Sequence, residues 1–145
     1  MTTQETTLIK NSFAKVAPIA DQAAAIFYAR LFELDPALRE LFAGDMRAQG
    51  HKLMAMLGHA VDRLEQPDQL VPTVRQLGLK YARCQMRDEN YETVGEALLW
   101  TLAKALGTDF TLDTRIAWGK SYWLLAETMK AGVRDGAAKA ARAFA

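Results

Sequence analysis

A chain of 145 residues, half of them hydrophobic, is one domain with enough apolar material for a sizeable core. Its 18 basic and 17 acidic residues leave a formal net charge of +1, which gives no electrostatic ground for expecting nucleic acid or an anionic membrane as partner. Cys84 is the single cysteine, so no internal disulfide forms, and no apolar run reaches the ~18 residues of a membrane helix. The opening MTTQETTLIK lacks the pattern of a secretory signal, so the cytoplasm is the expected location.

The four prolines, Pro18, Pro36, Pro67 and Pro72, fall where helical patterns restart. The first helix, from about Thr3, sets Leu8, Ile9, Phe13 and Val16 on one face. A second begins near Pro18 and repeats Ala24, Phe27, Tyr28, Leu31 and Phe32 at helical spacing. It stops near Asp35, because a residue before proline avoids the helical region. Pro36 opens a short helix, PALRELF, and the loop AGD follows. The next helix carries Leu53, Leu57, Ala60, Val61 and Leu64 and ends at Gln66-Pro67-Asp68. Another spans about Asp68 to Met86, with Leu70, Val74, Leu77 and Tyr81 in phase. RDEN marks a break. Val94, Leu98, Leu102 and Leu106 then recur at every fourth position, and Gly107 closes that helix. The last helix starts at the capping-type sequence near Thr111 and carries Trp118, Tyr122, Leu125, Met129 and Val133. About seven helices with short connections give an all-α fold, with residues 1–136 as the domain and 137–145 as an alanine-rich tail.

Four blocks, in order, resemble the globin family. IFYARLFELDPALRELF is similar to the second and third helices of bacterial single-domain haemoglobins and of the globin domain of flavohaemoglobins. QGHKLMAMLG resembles their distal helix. LGLKYARCQMRDENYETVGEALLWTLAKALG resembles the proximal helix and the one after it, and AWGKSYWLLAETM the last helix. The resemblance implies a three-over-three helical sandwich around a tetrapyrrole pocket. It places Phe42 flat on the porphyrin, Tyr28 and Gln49 as the distal tyrosine and glutamine, and Leu53 as the apolar distal residue one turn later. It places Lys80 near a propionate and Tyr91 as the tyrosine approaching the proximal ligand from the following helix.

The chain departs from the family at the proximal position. The family's histidine stands ten residues before the tyrosine of Y-x-x-V-G, and ten before Tyr91 of YETVG is Tyr81. The family's L-G-x-x-His reads here as Leu77-Gly78-Leu79-Lys80-Tyr81. The only histidines, His51 and His59, belong to the distal helix, and His51 is turned about 200° from Gln49, away from the ligand side. A tyrosine binds iron as a hard phenolate that favours the ferric state, as in catalase.

Three readings follow. Haem binds through Tyr81 or from the distal side. Alternatively, the pocket holds a linear bilin of the biliverdin or phycocyanobilin type, as the resemblance to bilin-biosynthesis-associated globins implies. These lack the proximal histidine and are related to phycobiliprotein ancestors, and the resemblance brings a bilin reductase or a haem oxygenase as partner. Arg83, Cys84, Arg87 and Asp88 offer two guanidinium groups, a thiol and a carboxylate for propionates and pyrrole N–H groups. Their Cys-x-x-Arg-Asp spacing is one residue longer than in phycobiliproteins. The third reading is a ligand-free shell acting as a sensor or interaction domain. The bilin reading is the expectation taken forward.

Bland readings stand beside these. Phe42, Tyr28, Trp118, Tyr122 and Trp123 serve equally as core aromatics, Cys84 as a buried inert thiol, and Arg83, Arg87 and Asp88 as a solvated helix end. No Gly-rich dinucleotide loop, catalytic carboxylate pair or Ser/His/Asp set emerges, so a binding protein is expected rather than an enzyme of the nitric-oxide-oxidising kind. Many relatives pair through their last two helices, so the resemblance allows a homodimer without fixing the oligomeric state.

Overall fold

Thr2 starts the first helix with a reciprocal cap. Its hydroxyl accepts the Glu5 N–H at 3.1 Å, and the Glu5 carboxylate accepts the Thr2 N–H at 3.3 Å. The computed structural model describes the backbone of residues 2–42, 44–83 and 88–143, and the side chains of 2–40, 44–66, 68–76 and 89–134. Among the described residues six α-helices make up the fold: α1 (Thr3–Val16), α2 (Ala20–Leu34), α3 (Met46–Asp62), α4 (Pro67–Arg83), α5 (Asp88–Leu106) and α6 (Leu112–Ala143). Short 3₁₀ turns at Ala17–Ile19, Pro36–Phe42 and Gly107–Asp109 link them, and no strand occurs among the described residues.

Local chemistry sets the breaks. Asp45 caps α3 by accepting the Arg47 N–H at 3.0 Å. The Thr111 hydroxyl accepts the Thr114 N–H at 3.2 Å and so starts α6. Gly107 takes φ 57°, a left-handed geometry that closes α5.

Two expectations need correction. Pro72 does not restart a helix but lies inside α4. It sits in the second turn on an exposed face, where the missing N–H withdraws a helical donor from one carbonyl only, that of Asp68. PALRELF forms a 3₁₀ segment rather than a regular helix. Residues 137–143 of the alanine-rich tail continue α6, as a run of alanines favours helix strongly.

In the packing, α2 lies on α5, α4 and α1 lie on α6, and α3 crosses α2. The main core gathers Ile9, Phe27, Leu31, Leu98, Leu102 and Trp118, each contributing roughly 1.5–3 kcal/mol by burial. The Trp118 indole N–H donates to the Ser12 hydroxyl at 2.8 Å, and that hydroxyl donates to the Leu8 carbonyl at 2.7 Å. The polar atoms that tie α6 to α1 are thereby satisfied within the core. A smaller cluster, Ala60, Leu70 and Val74 with Leu125 and Met129 against it, stands apart from this core.

The backbones of α4 and α6 meet at Gly132. A Cβ there would lie 2.6 Å from the Arg75 carbonyl oxygen and 2.9 Å from its Cα, so neither obstacle can rotate away. We predict that Gly132→Ala destabilises the fold by about 1–3 kcal/mol, the usual cost of overpacking, read as a lower urea midpoint. An unchanged midpoint would mean that α6 is free to shift off α4.

Candidate functional site

Between α3 on one side and α4, α5 and α6 on the other lies an apolar cavity of about 110 Å³. Phe27 and Tyr28 enter from α2, and Leu53, Met56, Leu57 and Ala60 from α3. Val74 comes from α4, Tyr91, Val94 and Leu98 from α5, and Tyr122, Leu125, Ala126 and Met129 from α6. Among the described lining, the only polar side-chain atoms are three phenol hydroxyls.

Each phenol is fixed by its helix and its neighbours. Tyr28 packs edge-on to Phe27, with ring centres 5.1 Å apart, and its hydroxyl donates to the Gln49 main-chain carbonyl at 3.4 Å. Tyr91, buried near the start of α5, has the Lys130 ammonium 5.4 Å from its ring centre. Lys130 also lies 5.3 Å from the Trp123 ring and pairs with Glu127 at 3.6 Å. The Tyr122 hydroxyl donates to the Tyr91 carbonyl and joins α6 to α5. Tyr122 reaches that position because Gly95 has no side chain: a Cβ there would come within 2.6 Å of the Tyr122 ring. Burial, and then the neighbouring Tyr91 phenol, push the Tyr122 pKa well above its ordinary value.

Of the residues singled out from sequence, Tyr28, Leu53 and Tyr91 come together on this cavity. Gln49 is half-buried beside it and contributes its carbonyl to Tyr28, while its side chain is not part of the described wall. Phe42 ends the 3₁₀ segment, and Lys80, Tyr81 and Arg83 close α4, but their side chains lie outside the described residues. Cys84 and Arg87 lie outside them altogether, as does the side chain of Asp88 at the start of α5. His51 faces solvent, its ring nitrogen 3.0 Å from the Asp21 carboxylate, and half-buried His59 is not on the cavity wall. No cluster of His, Cys, Asp or Glu suited to a metal ion occurs among the described residues.

Sequence reasoning missed Met56 and treated Tyr122 as core. The signal for Tyr122 was its place on the same α6 stripe as Leu125 and Met129. Trp123, one residue off that stripe, is half exposed rather than core.

An all-helical shell around an internal apolar pocket is the class of protein that fold and cavity define. The chain belongs to the globin family, whose pattern it matches over residues 25–129. It is 29% identical over 136 residues to a flavohemoprotein of Xylella fastidiosa (strain 9a5c), covering 90% of this chain and 34% of that protein. It is 32% identical over 114 residues to a flavohemoprotein of Chromobacterium violaceum, covering 76% of this chain and 28% of that protein. The chain thus spans about a third of the length of these relatives.

The Tyr122 phenol gives a pH test. A folded-state pKa raised above the unfolded value of about 10 contributes stability that is complete below that value. This contribution is lost as pH rises above it, because the unfolded chain ionises there while the folded chain holds its proton. We predict that Tyr122→Phe flattens the fall of stability above about pH 10, measured by urea unfolding across alkaline pH. Parallel wild-type and variant curves would refute the assignment.

Proposed function

We propose that this chain is a haem-binding globin in which the Tyr81 phenolate, rather than an imidazole, is the protein's iron ligand on the α4 side. The observation that carries this reading is a globin-family shell around an apolar cavity whose described wall contains phenols and no histidine. The apolar wall suits the faces of a flat macrocycle, because burying them needs no polar partner there. The relatives' names, flavohemoproteins, support the haem alternative over the bilin expected from sequence.

Haem would supply a redox-active iron, with its ferric state favoured by a hard anionic ligand. The chain's own residues do the rest. Tyr81 stands two residues before the end of α4, at the position the family gives to its proximal histidine. Lys80, Arg83 and Arg87 supply cations for two propionates. Phe27, Leu53, Leu57 and Leu98 exclude water from the pocket. Tyr28 brings a hydroxyl to the distal side, held there by the Gln49 carbonyl. On this reading the protein rests ferric and does not act as a reversible oxygen carrier.

Reconstitution with ferric haem tests this. Expected are a high-spin ferric electron paramagnetic resonance signal of phenolate type, its loss in Tyr81→Phe, and a readily reduced, histidine-type spectrum in Tyr81→His. A histidine-type spectrum in the wild type, or no change in Tyr81→Phe, would overturn the assignment. Tight uptake of biliverdin with only weak uptake of haem would return the bilin reading.

A further inference from the structure

A second concavity, a groove of about 510 Å³ open to solvent, lies on the outer side of α4 and α6. Leu70, Val71 and Leu124 give it an apolar floor, while Thr3, Glu65 and Ser121 belong to its polar part. Two residues, Val74 and Leu125, line both this groove and the internal cavity. Among the described residues they are the septum between the two.

We propose that this septum is a second entrance, a passage for small uncharged apolar molecules from the groove into the cavity, with Leu125 as its moving part. Several observations converge on it. The septum belongs to the small cluster of Ala60, Leu70, Val74, Leu125 and Met129, which packs separately from the main core. Its opening therefore leaves the main core's contacts in place. Val74 is buried and β-branched, and in a helix such a side chain is confined to essentially one rotamer. Leu125 is half-buried and unbranched at Cβ, so it has an alternative rotamer to move into. The helices themselves do not part here, because α4 and α6 are in backbone contact at Arg75 and Gly132, directly after Val74. Opening is thus a side-chain rotation rather than a helix displacement.

The chemistry of the passage selects its traffic. It offers Leu70, Val71, Val74 and Leu125 and, at the septum itself, no hydrogen-bonding side chain. A charged or strongly hydrogen-bonding molecule loses its water there without replacement, whereas a diatomic gas loses almost nothing. The purpose of such a route rests on the haem reading, but its geometry does not.

Xenon, a small apolar probe that needs no iron, makes the two separable. The experiment measures the exchange rate of cavity-bound xenon by saturation-transfer NMR on the full chain, alongside haem uptake measured by absorbance. Leu125→Ala is expected to speed exchange several-fold, and Leu125→Trp to slow it several-fold. Leu124→Trp, at an exposed groove position that leaves folding intact, is expected to slow exchange by narrowing the mouth. Ile116→Trp, exposed on α6 outside the groove, is expected to leave it unchanged. Wild-type exchange in both Leu125→Ala and Leu124→Trp would overturn the passage, even where haem binds normally. Failure of haem uptake with the expected xenon rates would overturn the haem reading alone.

Discussion

Everything in this molecule depends on where α6 sits. It supplies Trp118 to the main core, Tyr122 and Met129 to the cavity wall, and Leu125 to the partition between cavity and groove. Two glycines on different helices fix its position. At Gly95 the α5 backbone admits the Tyr122 ring, and at Gly132 α6 comes into contact with the backbone of Arg75 on α4. Both contacts exclude a Cβ, so they set distances that packing of ordinary side chains would leave adjustable. The hydrogen bond from Tyr122 to the Tyr91 carbonyl adds direction to the first of them.

With α6 fixed, the hydrophobic material divides in two. The main core fastens α1, α2, α5 and the first half of α6, and the polar atoms of Trp118 and Ser12 are satisfied inside it. The cavity adjoins it, between α3 on one side and α4, α5 and α6 on the other, and among the described residues a small cluster closes the shell there. A void costs free energy through the contacts its lining forgoes. The shell tolerates one because two of the contacts that define its shape, at Ser12 and Gly132, are made outside the void. Stability and ligand space meet at Phe27 and Leu98, which belong to the main core and also line the cavity.

Much of this was legible in the sequence, for a physical reason. Helical periodicity is a local property, so the stripes of Phe27 and Leu31, of Leu98 and Leu102, and of Trp118 and Tyr122 marked the buried faces of α2, α5 and α6. Capping chemistry is also local, and Thr111 and Gly107 marked boundaries correctly. Where the sequence misled, at Pro72, a weaker local signal competed with a stronger one: a proline can sit in an early turn at small cost and need not mark a restart. What no stripe reveals is whether an inward residue fills the core or faces a cavity. Leu98 touches both, and Val74 and Leu125, far apart in the chain, form one partition only after α4 docks on α6. The close approaches at Gly95 and Gly132 are equally silent, since a glycine within a helix reads locally as a defect.

The phenols give the cavity its chemical character. Tyr122 spends its hydroxyl on a backbone carbonyl, and burial keeps it protonated far above the ordinary range, so it adds no charge. Tyr28 is held differently. Its contact with the Gln49 carbonyl is 3.4 Å, beyond the 2.5–3.0 Å usual between oxygen atoms. The same polar group thus joins a different pair of helices in each case. Tyr122 locks α6 to α5, and Tyr28 links α2 to α3 through the Gln49 carbonyl.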